Sequence, residues 1–197
     1  MFLRIGINKV AIEINSQCVN RVFVAKTVSA PALAARPRLA YGRWMSGFPA
    51  SPMMARALAE ARAAAARGEV PVGAVIAAAD GTLLAASGNR TRELTDPTAH
   101  AEMLAIRAAC AALGSERLLG AVLHVTLEPC AMCAAAMAAA RVARVVYGAA
   151  DPKSGGVMHG ARVFDHPQAH HVPEIIGGIG ESESAALLKA FFAERRR

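Results

Sequence analysis

The sequence has few of the features that mark the less common classes of protein. Only 19% of its 197 residues are charged and only four are cysteine, which argues against a disordered chain and against a small domain held together by disulfides. It also lacks a run of about 18 apolar residues without a charge or a helix breaker, so no membrane span is predicted. Because 54% of its residues are hydrophobic, the chain can bury a sizeable core in one domain.

Positive charge is concentrated near the N-terminus. The formal net charge is +7, and residues 1–44 contain seven basic residues against a single acid, Glu13. The remaining 153 residues hold 15 basic and 14 acidic residues, for a net charge of +1. The high isoelectric point therefore does not itself predict a nucleic-acid partner for the main domain, and any RNA-binding surface there must be a local patch.

Residues 1–44 are predicted to form a basic extension that is separate from the folded domain at 45–197. This segment has no sustained helical period, and residues 31–41 are rich in proline, alanine and arginine. Three interpretations remain open: a disordered or artefactual stretch upstream of a start at Met45, a targeting peptide, and an RNA-binding arm.

From residue 51 onward the hydrophobic pattern predicts alternating helices and strands. Ser51 and Pro52 are typical of a helix N-cap and first position, Asp80-Gly81 of a hairpin turn, and Gly114 of a helix end. The predicted helices cover 51–67, 98–113, 130–140 and 181–194, and the predicted strands 70–77, 83–86, 122–127, 143–148 and 174–176. This order predicts an α/β protein, a three-layer α/β/α sandwich around a central mixed sheet of about five strands.

Two short clusters contain residues that bind transition metals, His100-Ala101-Glu102 and Pro129-Cys130-Ala131-Met132-Cys133. A Cys-x-x-Cys pair at the start of a helix places its sulfurs about one turn apart, and the helix N-terminus favours the thiolate form that binds metal. Structural zinc normally has four protein ligands, whereas catalytic zinc keeps one position for water. The three residues His100, Cys130 and Cys133 therefore predict one catalytic Zn²⁺ ion.

Other roles for these residues fit the sequence less well. A redox Cys-x-x-Cys pair has no need of a nearby His-x-Glu, and a structural zinc ribbon needs a second Cys-x-x-Cys, which this chain lacks. Glu102 is interpreted as the carboxylate that moves protons between the activated water and the substrate. The alternative is an ordinary surface acid, which would leave the predicted site without a proton carrier.

The combination of His100-x-Glu102 with Pro129-Cys130-x-x-Cys133 is the signature of zinc-dependent nucleobase deaminases. More narrowly, the sequence resembles the bacterial tRNA-specific adenosine deaminases at Asn89-Arg90 and in the segments 69–75, 96–102, 126–133 and 144–149. The resemblance covers about residues 51–197. The segment 170–173 departs from the family pattern, so the resemblance assigns no RNA contact there.

The resemblance implies a cytidine deaminase-like fold and the hydrolysis of adenosine to inosine at the wobble position of a tRNA anticodon, in an arginine tRNA. It places zinc on His100, Cys130 and Cys133 and proton transfer on Glu102. It further implies a cytoplasmic homodimer whose partner lines part of each site. The residues that it implies in substrate binding are Asn89, Ala99 through its backbone, Asp151, Phe192 and Arg195.

Two other functions share part of this signature. A deaminase of free nucleobases or nucleosides, such as guanine or cytosine, would use the same zinc motif but has no use for the basic residues 195–197. An inactive, zinc-stabilised RNA-binding subunit would have no use for Glu102. The sequence therefore favours a tRNA deaminase over both.

Overall fold

The protein is described from a computed structural model that covers residues 43–45 and 48–195. Predictions for residues 1–42 lie outside the described residues. The helices are α1 (Pro52–Ala66), α2 (Ala101–Leu113), α3 (Ala131–Ala139) and α4 (Glu181–Glu194). The strands are β1 (Arg43–Trp44), β2 (Gly73–Ala77), β3 (Leu83–Gly88), β4 (Val122–Leu127), β5 (Arg144–Ala149) and β6 (Glu174–Gly177).

The strands form one sheet in the order β1-β6-β5-β4-β2-β3. Strand β2 is antiparallel to β3 and β4, whereas β4, β5, β6 and β1 are parallel to one another. The predicted mixed sheet is confirmed, and β1 adds a sixth strand of two residues to the five that were predicted. Because β1 pairs with β6 at Arg43–Ile176 and Trp44–Gly177, the sheet begins two residues before the predicted domain start at residue 45.

Helices cover both faces of the sheet, which confirms the three-layer sandwich. Helices α2 and α3 pack on one face, and α1 and α4 pack on the other. Along β2, Ala74 and Ile76 belong to the larger core cluster on the α2 and α3 side. Val75 lies between them and joins the smaller cluster under α1 with Met54 and Leu58, as the two-residue period of a strand requires.

Helix α1 begins as the sequence predicts. Ser51 is its N-cap, and the backbone N–H of Met54 donates to the Ser51 hydroxyl at 3.2 Å, with Pro52 in the first turn. The helix has 15 residues.

Within 43–45 and 48–195, the helices are too short or too polar to cross a membrane.

Two elements begin three residues later than predicted, for local reasons. Strand β2 starts at Gly73 and not at residue 70, because Pro71 has no N–H to offer a neighbouring strand. Helix α2 starts at Ala101 and not at residue 98, because the Thr98 N–H donates to the Asp96 carboxylate at 2.7 Å in a turn. His100 is left in extended backbone just before the helix, and this position shapes the site.

Candidate metal centre and active site

His100 is the N-cap residue of α2, with φ −69° and ψ 151°. Its side chain makes no capping hydrogen bond. The first helical N–H, that of Ala101, instead donates to the side-chain oxygen of Asn89 at 2.8 Å, and this contact is buried. Asn89 therefore satisfies the start of the helix, which leaves the His100 imidazole free to point elsewhere.

Cys130 holds the equivalent position at α3. It is the N-cap residue in extended backbone, with φ −69° and ψ 172°, and Cys133 lies buried in the first turn of the helix. The His100 Nδ1 atom lies 3.7 Å from the Cys130 sulfur and 3.5 Å from the Cys133 sulfur. The start of one helix thus brings a nitrogen to the two sulfurs at the start of another.

The donor atoms of these three residues fit a zinc ion. They lie within 4.8 Å of one another, and among the described residues no fourth histidine, cysteine or acid joins the group. Tetrahedral zinc with Zn–S of about 2.3 Å and Zn–N of about 2.0 Å separates nitrogen from sulfur by about 3.5 Å. The observed separations of 3.5 and 3.7 Å are close to this value.

The two thiols and the imidazole influence one another strongly. A hydrogen bond from Cys133 lowers the pKa of the Cys130 thiol to about 4, with help from His100. The same hydrogen bond, together with burial, raises the pKa of Cys133. A hydrogen bond to Cys130 raises the pKa of His100. Cys130 is therefore the thiol of this group that most readily gives up its proton, and the thiolate is the form of cysteine that binds metal.

Glu102 is buried next to this group. Its residue is 3% exposed, and its carboxyl group interacts with the Cys133 thiol. The Oε2 atom is buried and has no hydrogen-bond partner among the described residues. Burial raises the pKa of Glu102. An unpaired carboxylate oxygen is costly in the interior, and its place beside three metal-binding side chains fits a group that acts on a bound water or substrate.

His100 and Glu102 do not both lie in the helix. Two residues at this spacing would point about 200° apart if both were helical. His100 precedes α2 in extended backbone, and Glu102 is the second residue of the helix. The change of backbone conformation between them allows both side chains to face the same group.

Asn89 has its amide fixed by the helix that it caps. Its side-chain oxygen accepts from Ala101, its backbone carbonyl accepts from Arg67 at 3.2 Å, and its backbone N–H donates to Val72 at 3.0 Å. Because the amide oxygen is engaged, the side-chain NH₂ is the group that Asn89 can offer to a ligand. The residue is 7% exposed.

Ala99 lies in the loop between β3 and α2. It is buried, its N–H donates to the Asp96 carbonyl at 3.0 Å, and its carbonyl accepts from Arg90 at 3.0 Å. The loop closes on itself through these bonds. The contact of the Ala99 backbone with a base stays a prediction.

A buried acid that is not among the predicted site residues holds this loop. Glu69 is 1% exposed and accepts from the Arg92 and Glu93 N–H groups at 2.9 Å and from the Thr91 hydroxyl at 3.0 Å. Burial alone would raise the pKa of Glu69, but these donors together hold it below its usual value. Glu69 thus acts as an acceptor for the loop.

Asp151 begins the loop that follows β5. Its carboxylate accepts from the backbone N–H groups of Lys153 and Ser154 at 3.1 and 3.0 Å. The same loop is held by Glu128, a second buried acid, which lies in the segment 126–133 but is not among the predicted site residues. Burial alone would raise the pKa of Glu128, and the loop donors hold it below its usual value.

The two aromatic residues near the end of α4, Phe191 and Phe192, differ in burial. Phe191 is buried and Phe192 is 42% exposed, with their rings edge to face at 5.4 Å. The Arg195 guanidinium lies 3.7 Å from the centre of the Phe191 ring and donates to the Gly68 carbonyl at 2.7 Å. Gly68 is adjacent to Arg67, which contacts Asn89. Arg195 is therefore linked to the site through two contacts, whereas the roles of Phe192 and Arg195 in binding stay predictions.

The fold and this group of residues match known proteins. Residues 49–149 match the cytidine and deoxycytidylate deaminase zinc-binding region. A tRNA-specific adenosine deaminase of Agrobacterium fabrum is 59% identical over 143 residues, which cover 73% of this chain and 93% of the relative.

Two solved structures show how far the similarity extends. One comes from work on A-to-I editing by tRNA:A34 deaminases at the wobble position; it is 59% identical with a TM-score of 0.68, covering 69% of this chain and 98% of that one. A guanine deaminase from Nitrosomonas europaea is 25% identical with a TM-score of 0.63, covering 73% and 86%. With its zinc-binding region and these relatives, the chain belongs to the tRNA-specific adenosine deaminases, within the cytidine and deoxycytidylate deaminase family.

Proposed function

We propose that the protein is a zinc-dependent hydrolase that converts adenosine to inosine at the wobble position of a tRNA anticodon, in an arginine tRNA. The observation that carries the proposal is the group of His100, Cys130 and Cys133 with the unpaired Glu102 oxygen beside it. The 59% identity to a tRNA-specific adenosine deaminase over most of that protein's length supports tRNA as the substrate class.

In this proposal His100, Cys130 and Cys133 hold the zinc ion. When bound, zinc activates a water molecule at neutral pH for attack on C6 of adenine. Glu102 accepts a proton from the water and delivers it to N1 of the ring. It then transfers the second water proton to the amino group, which leaves as ammonia while C6 becomes a carbonyl. Adenosine and water are thereby converted into inosine and ammonia.

The remaining predicted residues orient the nucleotide. Asn89 donates from its side-chain NH₂, since its oxygen is engaged by α2. Ala99 contributes its backbone beside the base, and Asp151, Phe192 and Arg195 contact the anticodon loop. A wobble adenosine is already unpaired in its loop, so presenting it to a pocket costs less than extracting a base from a duplex.

The proposal includes a homodimer in the cytoplasm, with the partner lining part of each site. It also includes the dispensability of the basic extension, residues 1–44, for catalysis. Dimerisation is tested by sedimentation at several concentrations, with and without a tRNA anticodon stem-loop. A monomer at all concentrations that turns over the stem-loop at full rate would contradict the shared site.

The runner-up is a deaminase of free nucleobases, because a guanine deaminase shares the fold with a TM-score of 0.63. The identity of that protein is 25%, against 59% for the tRNA deaminases. The pocket for a free base and the pocket for a loop nucleotide use the same zinc chemistry. A comparison of substrates therefore tests one function against the other.

The test offers both substrate classes to one preparation with measured zinc content. Stem-loops of arginine tRNA and of a second tRNA, each with a wobble adenosine, are incubated beside free guanine, cytosine and adenosine. Inosine is measured by nuclease digestion and mass spectrometry, and a stem-loop with adenosine moved by one position is the control. We expect turnover of the arginine stem-loop alone. Faster turnover of guanine, or no turnover with full zinc, would overturn the proposal.

A further inference from the structure

The carboxylate of Glu128 gathers an unusual number of hydrogen-bond donors from one loop. Its Oε1 atom accepts from the backbone N–H groups of residues 157, 158 and 159 at 3.3, 2.8 and 2.9 Å. Its Oε2 atom accepts from the Asp151 N–H at 3.1 Å and pairs with the His159 ring Nδ1 at 2.6 Å. The residue is 2% exposed. One buried side chain thus joins the two ends of loop 151–159.

This loop lies directly against the segment that bears Cys130. Cys130 and Gly155 form an isolated antiparallel bridge, and the Gly156 N–H donates to the Pro129 carbonyl at 2.8 Å. A Cβ atom on Gly156 would collide with the Ala131 backbone, which leaves no space between loop and helix start. A movement of loop 151–159 would therefore also displace the segment that contains Cys130.

The hydrogen bonds of the Glu128 side chain go to this loop. Glu128 is not among the residues that could hold the metal, and its side chain is fully buried. A buried carboxylate is expensive to desolvate, and a fold can often be kept with neutral residues in its place. Four backbone donors and one ring donor specify the position of the loop more narrowly than apolar packing would.

We propose that Glu128 is a positioning residue, whose carboxylate fixes loop 151–159 as the border of the nucleotide site on the Cys130 side. His159 is the one side-chain member among its donors and locks the far end of the loop. This inference rests on the proposed function in one respect, namely that an anticodon loop is the substrate whose binding the border affects.

The main test is Glu128→Gln, which keeps the size of the side chain but replaces one acceptor oxygen with an NH₂ group. With its oxygen toward residues 157–159, the amide would meet the Asp151 N–H donor to donor. We expect amide hydrogen exchange in loop 151–159 to be at least about tenfold faster. Zinc content should be unchanged, and KM for the stem-loop should rise about tenfold with a smaller fall in kcat.

Glu69→Gln is the matched control, because Glu69 is equally buried and holds the other loop in the same manner. It should speed exchange at residues 91–93 and leave 151–159 as in the unmodified protein. His159→Ala removes one donor and should raise KM less than Glu128→Gln. His159→Asn, whose amide can occupy the position of Nδ1, should return KM to the value of the unmodified protein. The double variant Glu128→Gln with His159→Ala should have a KM no higher than that of Glu128→Gln alone.

The inference is overturned if Glu128→Gln leaves both loop exchange and KM unchanged, or if it speeds exchange equally in both loops. If Glu128→Gln does not fold, the His159 pair decides: equal KM for His159→Ala and His159→Asn rejects the positioning role. If the unmodified protein fails to deaminate the stem-loop, the proposed function fails. The exchange measurements still decide then whether Glu128 positions the loop.

Discussion

The site has two halves that are built alike and equipped differently. The α2 half consists of His100, Glu102 and Asn89 with loop 89–99, and the α3 half of Cys130 and Cys133 with loop 151–159. Each half places a metal-binding side chain at a helix N-cap in extended backbone, and each loop is held by a buried acid. Only the α2 half contains the unpaired carboxylate oxygen and a capping amide. In the proposed function, metal binding is thus shared between the halves, whereas proton transfer belongs to one.

The largest expected effect tests the shared part. His100→Ala and Cys130→Ser each remove one of three ligands, one from each half. Both should reduce zinc from about one ion per chain to a small fraction, and turnover should fall in parallel, because each variant leaves two protein ligands where catalytic zinc sites have three. Elemental analysis after dialysis measures the metal. Full zinc in either variant would remove that residue from the ligand set.

Glu102→Gln tests the part that belongs to the α2 half alone. The amide keeps the shape of the side chain but cannot accept and release the proton, so kcat should fall about 10²- to 10⁴-fold. Zinc content should stay at the level of the unmodified protein. Single-turnover assays on the stem-loop measure the rate, with elemental analysis on the same sample. Retained turnover would show that another group carries the proton.

Asn89→Asp separates the capping role of the side chain from its substrate role. The carboxylate can still accept from the Ala101 N–H, whereas the NH₂ donor is lost. The free energy of unfolding should change by less than about 1 kcal/mol, and kcat/KM should fall roughly 10- to 100-fold. Denaturant unfolding and steady-state kinetics measure the two. A large loss of stability with unchanged kcat/KM would reverse this assignment.

The pH dependence of the free energy of unfolding tests whether Glu69 holds loop 89–99 through its charge. Because the pKa of Glu69 is lowered in the fold, its carboxylate stabilises the protein above the unfolded pKa of about 4.3, and this contribution disappears as the pH falls through the lower folded value. Glu69→Gln should therefore be less stable at pH 7, and the difference should narrow at about pH 3. Urea unfolding at both pH values measures it. A constant difference would contradict a role for the charge.

The smallest effect is expected outside both halves. Removing residues 1–42 should change turnover of the stem-loop less than about twofold, since β1 and the sheet are retained. Removing residues 1–44 also deletes β1 and its pairing with β6, which should lower the melting temperature without altering the site. Kinetics and thermal unfolding of the two truncations measure this. A severe loss of activity in the first would show that the basic extension binds RNA.

Sequence patterns predicted the elements whose signals are local. The bounds of β4 and α4 agree with the prediction, and Ser51 and Gly114 mark helix ends as expected. Strand β1 was not predicted, because two residues carry no pattern and the strand exists only through its pairing with β6. The start of α2 was placed too early, because the turn at Asp96–Thr98 competes with the helix for its first donors.

The site residues that could be predicted are those that belong to short motifs of neighbouring residues. His-x-Glu and Cys-x-x-Cys identify metal ligands by type and spacing, and the structure brings all three donor atoms together. Glu69 and Glu128 could not be recognised, because an isolated acid in a sequence is most simply read as exposed. Their partners lie 22 to 24 and 23 to 31 residues away along the chain, so only the folded chain reveals them.

Tight packing around Gly155 and Gly156 has a consequence for altering the range of bases that the protein accepts. A Cβ atom on Gly155 would lie 2.6 Å from the Glu128 carboxyl carbon, so randomised libraries that include either glycine would consist largely of misfolded variants. Residues 152–154 at the tip of the same loop are exposed. Directed evolution should therefore diversify this tripeptide and leave the two glycines as they are.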